Sequence, residues 1–306
     1  MVFAYHEMGY ACLEALIGLG APVAALFTHQ DDPGETVWWR SCAALAERHG
    51  IPAYVTAGRL EETAAARIAS LEPAVIYSFY YRALLADTVL KSASVGAFNL
   101  HGSLLPAYRG RAPVNWVLVN GEHKTGVTLH HMVARADAGD IVAQCATEIS
   151  EDDTAFTLYQ RLVAIGARMV REWHPRIVTG TAPRFPQDRT RATYFGRRRP
   201  EDGRIQWVWP ARRIFNLVRA VTHPYPGAFC FAQGRKLFIW QARVARESGP
   251  RGAPGAIVET ADAQGLEVAA GVGSVLLLSV QPEGGEELAG RLLRERGLLL
   301  DDFRLT

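Results

Sequence analysis

Residues 73–100 read PAVIYSFYYRALLADTVLKSASVGAFNL, and this stretch decides the predicted fold. Its two apolar runs, 73–79 and 96–100, have the length and composition of buried strands. Between them, residues 83–90 carry apolar side chains at helical spacing. A strand, a helix and a second strand in this order are typical of a parallel sheet covered by helices.

The same alternation extends along the first 180 residues. Predicted strands lie at 2–5, 22–28, 51–55, 126–132 and 141–149, and predicted helices at 8–19, 38–49, 60–70, 115–119 and 154–179. The last hundred residues contain one predicted helix, 211–221, and short strands rich in flanking Gly, which are typical of a small β-barrel. These strands are predicted at 227–231, 236–244, 256–259, 266–269 and 274–278.

The pattern predicts an α/β protein with two domains. The first, residues 1–185, is a Rossmann-like, mostly parallel sheet with helices on both faces. A linker follows at 186–200, and residues 201–306 form a small β-barrel (OB-like) domain. We expect the catalytic site in the first domain, because ligands of parallel sheets bind beyond the carboxyl ends of the strands.

Composition narrows the class of protein. The chain has 306 residues, 49% of them hydrophobic, and 33 Lys+Arg against 31 Asp+Glu, which excludes a disordered or fibrous protein. No apolar run approaches the ~20 residues of a membrane span, and the N-terminus lacks a secretory signal. The four cysteines lie far apart without a C-x-x-C pair, so we expect no zinc site and a reducing, cytoplasmic location.

The charge is unevenly distributed. Residues 1–150 hold 10 Lys+Arg and 14 Asp+Glu, whereas residues 151–306 hold 23 and 17, a net charge of +6. Two interpretations stay open for the second half, an attraction for an anionic ligand or an ordinary solvated surface.

Asn99 and His101 are the strongest candidates for chemistry. They lie two residues apart at a predicted strand end, so their side chains point to the same side. An amide N–H and an imidazole suit acyl transfer, since both can stabilise an oxyanion and the imidazole can move a proton. Asp137, among small residues, would orient His101 and favour its protonated form. The alternatives are structural: a loop-holding Asn99, a packed His101 and a turn-forming Asp137.

The remaining motifs are weaker indicators of function. No G-x-G-x-x-G follows the first strand, which disfavours a dinucleotide cofactor. His130 and His131 face opposite sides of a strand, and we expect both to be structural. His6 is a candidate to line the pocket. Ser103 lacks a G-x-S-x-G elbow, so a serine nucleophile is not expected.

Together these residues resemble the signature of the 10-formyltetrahydrofolate-dependent formyltransferases. The matching features are Asn99-x-His101, the SLLP stretch 103–106 followed by Tyr-Arg-Gly, and Asp137 in an Asp-Ala-Gly turn. The resemblance covers nearly the whole chain, including GAFNLHGSLLPAYRGRAPVNWVLVNGE (96–122) and VRAVTHPYPGAF (218–229). The stretch RAPVNW (111–116) differs from the Gly-Ala-Ala-Pro usual in methionyl-tRNA formyltransferases.

The resemblance implies a reaction and the roles of site residues. The formyl group of 10-formyltetrahydrofolate would pass to the 4-amine of UDP-4-amino-4-deoxy-L-arabinose, a precursor for lipid A modification and polymyxin resistance. His101 would transfer the proton, Asn99 would stabilise the transition state and Asp137 would tune His101. No metal is implied. The implied folate contacts are Ala83, Leu84, Leu85, Arg111, Val133, Ala134, Arg135, Ala136 and Asp137.

Two alternatives to this function stay open. One is an N-formyltransferase for another nucleotide-linked amino sugar or for methionyl-tRNA, although a net charge of +2 disfavours a nucleic-acid partner. The other is a folate-binding regulatory protein without turnover. Because the chain ends at Thr306, we expect the dehydrogenase and decarboxylase activity of the pathway either to come from a separate partner or to be absent. We also expect the start to lack a few residues, since the chain begins within its first predicted strand.

Overall fold

The computed structural model describes residues 1–56, 66–68, 70–258, 264–296 and 305–306. They form two compact units. The first contains Met1–Pro113, Lys124–Ile149 and Tyr159–Gly196, and the second contains Val114–His123, Ser150–Leu158 and Arg197–Thr306. The predicted domain boundaries at residues 185 and 200 stay a prediction.

The first unit is built on a seven-stranded sheet in the order β3-β2-β1-β4-β5-β7-β8. The first five strands in this sheet run parallel, β7 runs antiparallel to them, and β8 is antiparallel to β7 and so has the same direction as the first five. The strands are β1 (Val2–Ala4), β2 (Leu26–His29), β3 (Ala53–Thr56), β4 (Val75–Phe79), β5 (Gly96–His101), β7 (Lys124–His131) and β8 (Ile141–Glu148). Two short strands, β6 (Arg109–Gly110) and β9 (Tyr194–Phe195), pair separately.

Central strands of this sheet are buried on both faces, which explains their continuous apolar sequences. All five residues of β4 are buried, and β1 is buried throughout. The helices that begin in this half of the chain are α1 (His6–Gly18), α2 (Cys42–Arg48), α3 (Asp87–Lys91), α4 (Pro113–Val119) and α5 (Ala155–Val178). Gly9 allows α1 to pack closely, because a Cβ there would lie 3.1 Å from both Ala4 and the Phe79 carbonyl oxygen.

The second unit contains a six-stranded antiparallel sheet with the main order β10-β11-β14-β13-β12, and β15 pairs with β14. Register shifts in the β11–β14 pairing bend the two long strands. Its elements are α6 (Ala211–Val221), β10 (Ala228–Ala232), β11 (Arg235–Arg246), β12 (Ile257–Val258), β13 (Leu266–Ala269), β14 (Ser274–Pro282), β15 (Leu288–Ala289) and α7 (Leu292–Glu295). The predicted fold class, a mostly parallel α/β sheet followed by a barrel-type β domain, is confirmed.

Element boundaries differ from the prediction where local chemistry intervenes. The strand predicted at 22–28 begins only at Leu26, and Pro22 has no N–H to donate to a ladder. The helix predicted at 38–49 begins at Cys42, because Ser41 caps it by accepting a hydrogen bond from the Ala44 N–H. The helix predicted at 60–70 lies largely outside the described residues.

Candidate active site

β5 places the two central side chains of the site. It lies between β4 and β7, and its antiparallel register puts Asn99 opposite His130 and His101 opposite Thr128. Asn99 and His101 alternate with buried Leu100 and therefore share one side of the strand. The turn between β7 and β8 returns Asp137 to the same place.

The Oδ1 atom of Asp137 is the point where these side chains meet. It lies 3.4 Å from the Asn99 Nδ2 atom, 3.6 Å from the His101 Nδ1 atom and 3.6 Å from the His130 Nε2 atom. The Oδ2 atom accepts a hydrogen bond of 2.9 Å from the Gly110 N–H. The structure thus brings together all three residues that the sequence predicted to be catalytic, together with His130.

Asp137 is held in its ionised form. Burial alone would raise the pKa of this carboxyl, but the charge of His101, the contact with His130 and the hydrogen bond from the Gly110 N–H outweigh it and hold the pKa well below its usual range. The distance of 3.6 Å from His101 Nδ1 exceeds a hydrogen bond, so Asp137 acts on this imidazole mainly through its charge.

His101 has an acceptor at each ring nitrogen. Its Nε2 atom lies 2.7 Å from the Tyr108 carbonyl oxygen, which can only accept, so Nε2 carries a proton. Nδ1 faces the Asp137 carboxylate. Tyr108 adopts a left-handed backbone with φ of +59°, which lies outside the regions most side chains favour. With Nε2 bound to the Tyr108 carbonyl oxygen, the His101 ring can take up and release a proton at Nδ1, which faces the Asp137 carboxylate.

The loop after β5 is anchored through Thr128, whose side chain is fully buried. The Thr128 hydroxyl donates to the Ser103 carbonyl oxygen (2.6 Å) and accepts from the Leu105 N–H (3.1 Å) and the Gln144 amide (2.9 Å). The Ser103 hydroxyl in turn donates to the Ala107 carbonyl oxygen at 2.7 Å. The Ser103 hydroxyl therefore holds the loop in place.

The turn that carries Asp137 is clamped from a distant part of the chain. The Gln187 amide nitrogen donates to the carbonyl oxygens of Asp137 (2.9 Å) and Gly139 (2.6 Å). Its oxygen accepts from the buried Arg109 guanidinium at 2.6 and 3.2 Å. Because Asp137 has a φ of +55°, an uncommon conformation for a residue other than glycine, this clamp offsets backbone strain.

The residues expected to contact folate include the chain neighbours of Gly110 and Asp137. Arg111 donates to the Arg82 carbonyl oxygen at 2.9 Å, which joins it to the segment containing Ala83, Leu84 and Leu85. Leu84 is 72% exposed, whereas Leu85 packs in the hydrophobic core with Ala83 beside it. In the turn before Asp137, Val133, Ala134 and Arg135 are exposed and Ala136 is half-buried.

Two residues of the site, His130 and Gln187, had no functional role predicted from the sequence. His130, predicted to be structural, lies beside Asn99 and Asp137, and the antiparallel register opposite Asn99 is the signal that identifies it. Gln187 fell within the predicted linker region, where no local pattern indicates a role. His131, by contrast, packs its ring against Phe98, with ring centroids 4.6 Å apart.

His6 lines a shallow cleft at the carboxyl ends of β1 and β2. Its backbone is left-handed, with a φ of +65°, and its ring stacks on Trp39 with centroids 4.0 Å apart. Burial, with a smaller contribution from Arg82, lowers the pKa of His6 to about 3, so the ring is neutral near pH 7. The ring also lies 2.7 Å from the Tyr159 hydroxyl.

Two further features concern the part of the chain that the structure describes. Its His, Cys, Asp and Glu side chains form no group of three that could hold a metal ion. None of its helices is long and apolar enough to cross a membrane.

An amide, an imidazole and an ionised carboxylate at the end of a parallel sheet define a site suited to group transfer at a carbonyl carbon. Comparison with known families agrees. A formyl transferase model matches residues 17–172, and a model of the formyl transferase C-terminal domain matches residues 198–296. The chain belongs to the formyl transferase family and is an enzyme that transfers formyl groups.

Solved structures share the fold. An N-formyltransferase from Helicobacter canadensis, in complex with folinic acid and dTDP-3-aminofucose, is 19% identical with a TM-score of 0.72, covering 90% of this chain and 97% of that one. The sugar 3N-formyltransferase WlaRD is 18% identical with a TM-score of 0.67, covering 90% and 96%. A sugar N-formyltransferase from a Shewanella species is 17% identical with a TM-score of 0.62, covering 78% and 94%.

Proposed function

We propose that this enzyme transfers the formyl group of 10-formyltetrahydrofolate to the 4-amine of UDP-4-amino-4-deoxy-L-arabinose. The observation that carries the proposal is the convergence of Asn99 and His101 on the ionised Asp137, within the fold of a formyl transferase. We place the reaction in the cytoplasm, as the cysteine usage predicts.

In the proposed reaction the neutral sugar amine attacks the formyl carbon. A nitrogen–carbon bond forms, the formyl oxygen becomes an oxyanion, and the bond from the formyl carbon to N10 of the folate then breaks. His101 relays the proton that the amine loses to N10, the leaving nitrogen. The balance needs no further reactant and no covalent enzyme intermediate.

Asn99 and His101 supply the groups that stabilise the oxyanion. The Asn99 N–H that points toward Asp137 makes only a long contact of 3.4 Å, so the formyl oxygen can replace the carboxylate as its acceptor at little cost. Asp137 compensates the charge of a protonated His101. Such donors are each worth roughly 100- to 1000-fold in rate.

Folate binding is assigned to the exposed residues beside this group. Arg111 offers a fixed positive charge, and Leu84 and Val133 offer exposed apolar surface, 72% and 43% exposed. Ala83, Leu85, Ala134, Arg135 and Ala136 complete the proposed contacts, with Leu85 contributing through its backbone, because its side chain is buried. The folinic acid in the complex of the Helicobacter relative supports a folate as the ligand.

The choice of sugar rests on sequence resemblance. Stretches such as FAYHEMG (3–9), SFYYR (78–82) and RAPVNW (111–116) resemble the formyltransferase portion of ArnA, the bifunctional polymyxin-resistance protein. A second candidate acceptor is a dTDP-linked amino sugar, because the Helicobacter relative is in complex with dTDP-3-aminofucose. Transfer to methionyl-tRNA is the third acceptor to be tested.

The experiment supplies purified enzyme with 10-formyltetrahydrofolate and each acceptor in turn, and detects the formylated product by mass spectrometry. We expect formylation of UDP-4-amino-4-deoxy-L-arabinose with the highest kcat/KM. Preferential use of dTDP-3-aminofucose would replace the proposed sugar, and formylation of methionyl-tRNA alone would overturn the sugar class.

Variants then test the residues. We expect Asn99→Ala and His101→Ala each to lower kcat roughly 100- to 1000-fold. Thr147→Ala, on β8 of the same sheet and remote from Asp137, is the control and should retain wild-type activity. Near-normal turnover in either site variant would refute its catalytic assignment.

A further inference from the structure

His130 lies in the catalytic group but takes no part in the reaction proposed above. Its side chain is 2% exposed and sits opposite Asn99 in the β5–β7 register. Its Nε2 atom is 3.1 Å from the Asn99 Nδ2 atom, and its Nδ1 atom is 2.8 Å from the His131 carbonyl oxygen. Nε2 also lies 3.6 Å from Asp137 Oδ1, which exceeds a hydrogen bond, so the nearest partners of the two ring nitrogens are the Asn99 amide and the His131 carbonyl oxygen.

These partners fix the tautomer of the ring. A carbonyl oxygen can only accept, so the proton must reside on Nδ1 of His130. An amide nitrogen can only donate, so Nε2 must present its lone pair to Asn99. His130 is therefore the Nδ1–H tautomer, with Nε2 as the acceptor.

The Asp137 carboxylate independently favours this orientation of the Asn99 amide, because an ionised carboxylate requires a donor opposite it. The amide nitrogen lies between two acceptors, His130 Nε2 at 3.1 Å and Asp137 Oδ1 at 3.4 Å. If the amide turned over, its carbonyl oxygen would face that carboxylate. The shorter of the two contacts, and the only one within the normal range of hydrogen-bond lengths, is the contact to His130.

We propose that His130 is a positioning residue for the formyl transfer, which holds the Asn99 amide so that an N–H, not the carbonyl oxygen, faces the reacting formyl oxygen. One Asn99 N–H is bound to His130, and this leaves the other directed toward Asp137 and His101. The inference rests on the proposed function for its kinetic consequence but not for its structural content.

The tautomer is tested on the substrate-free enzyme by NMR of its ¹⁵N-labelled histidines, assigned with His130→Gln and His131→Asn variants. We expect the neutral ring of His130 to carry its proton on Nδ1 and to leave Nε2 unprotonated. A protonated Nε2 would overturn the inference, whatever the enzyme's acceptor proves to be.

Kinetics then test the positioning role. His130→Phe keeps a ring of similar size but has no acceptor, and we expect kcat to fall roughly 10- to 100-fold while KM for both substrates changes less than about 3-fold. His130→Gln can place an oxygen near the Nε2 position, and we expect it to recover most of the lost kcat. His131→Asn, at the adjacent position on the other side of the strand, is the matched control.

The outcomes separate the two proposals. If the wild-type enzyme formylates none of the tested acceptors, the proposed function fails, while the NMR result still decides the tautomer. If transfer occurs and His130→Phe retains wild-type kcat, or if His130→Gln is as impaired as His130→Phe, the positioning role is wrong. Melting temperatures of both variants identify any loss caused by unfolding.

Discussion

The turn that carries Asp137 offers a sharp test through Gly139. A Cβ atom added there would lie 1.9 Å from the His131 carbonyl oxygen, whereas real Cβ atoms essentially never approach closer than 3.0 Å. The backbone must therefore move by at least about 1 Å in Gly139→Ala. The obstacle is backbone in β7, which cannot rotate away as a side chain would.

This displacement acts on catalysis through Asp137, two residues earlier. The Gln187 amide bonds both carbonyl oxygens, so a shift at Gly139 pulls on the clamp that positions the carboxylate. A misplacement of about 1 Å typically costs around 100-fold in rate, and overpacking typically costs 1–3 kcal/mol of stability. We expect Gly139→Ala to lower kcat roughly 100-fold and to lower the free energy of unfolding by about 1–3 kcal/mol.

The assay measures kcat for formyl transfer and the urea midpoint on the same preparations. Gly18→Ala is the control, because no atom lies within 4 Å of a Cβ at Gly18 and alanine is the better helix former. The control should retain wild-type kcat with equal or slightly higher stability. Wild-type kcat in folded Gly139→Ala would refute the argument that this turn sets the position of Asp137.

Three further predictions concern pH, the clamp and the donor substrate. The pKa of His6 is lowered from 6.5 to about 3, so between these pH values the unfolded chain binds more protons than the folded chain. The free energy of unfolding therefore falls as the pH drops from 6.5 to about 3, by up to ~1.4 kcal/mol per pH unit for this ring. His6→Asn, which tolerates the left-handed backbone, should flatten the pH dependence of the urea midpoint between those values, and an unchanged slope would contradict the assignment. Gln187→Leu should lower kcat roughly 10- to 100-fold and lower the free energy of unfolding, measured with urea, by about 1–3 kcal/mol, because it leaves buried hydrogen-bonding partners unbonded. An unchanged kcat would contradict the role of Gln187 in positioning Asp137. Arg111→Ala should raise KM for 10-formyltetrahydrofolate while the melting temperature stays near that of exposed Arg191→Ala, and a parallel loss of both would indicate a structural role instead.

Local patterns were sufficient for the parallel sheet and for part of the site. Apolar runs such as the one in β4 predict strands buried on both faces, because only helices can cover both sides of such a strand. The spacing of Asn99 and His101 predicts a shared side, since side chains alternate along a strand. Boundaries were less accurate where a single residue decided them, as Ser41 does by capping α2.

The rest of the site depends on which strands are neighbours. The antiparallel register of β5 and β7 places His130 against Asn99, and nothing in the sequence around either residue specifies that pairing. Asp137 reaches His101 only because its backbone is left-handed and Gln187, fifty positions along the chain, holds its turn. The parallel sheet and the shared side of Asn99 and His101 could be predicted from the sequence, because both follow from periodicity along one segment. The tertiary structure alone decided what surrounds that pair, because hydrogen bonds between distant segments depend on register and on strained turns that no local pattern encodes.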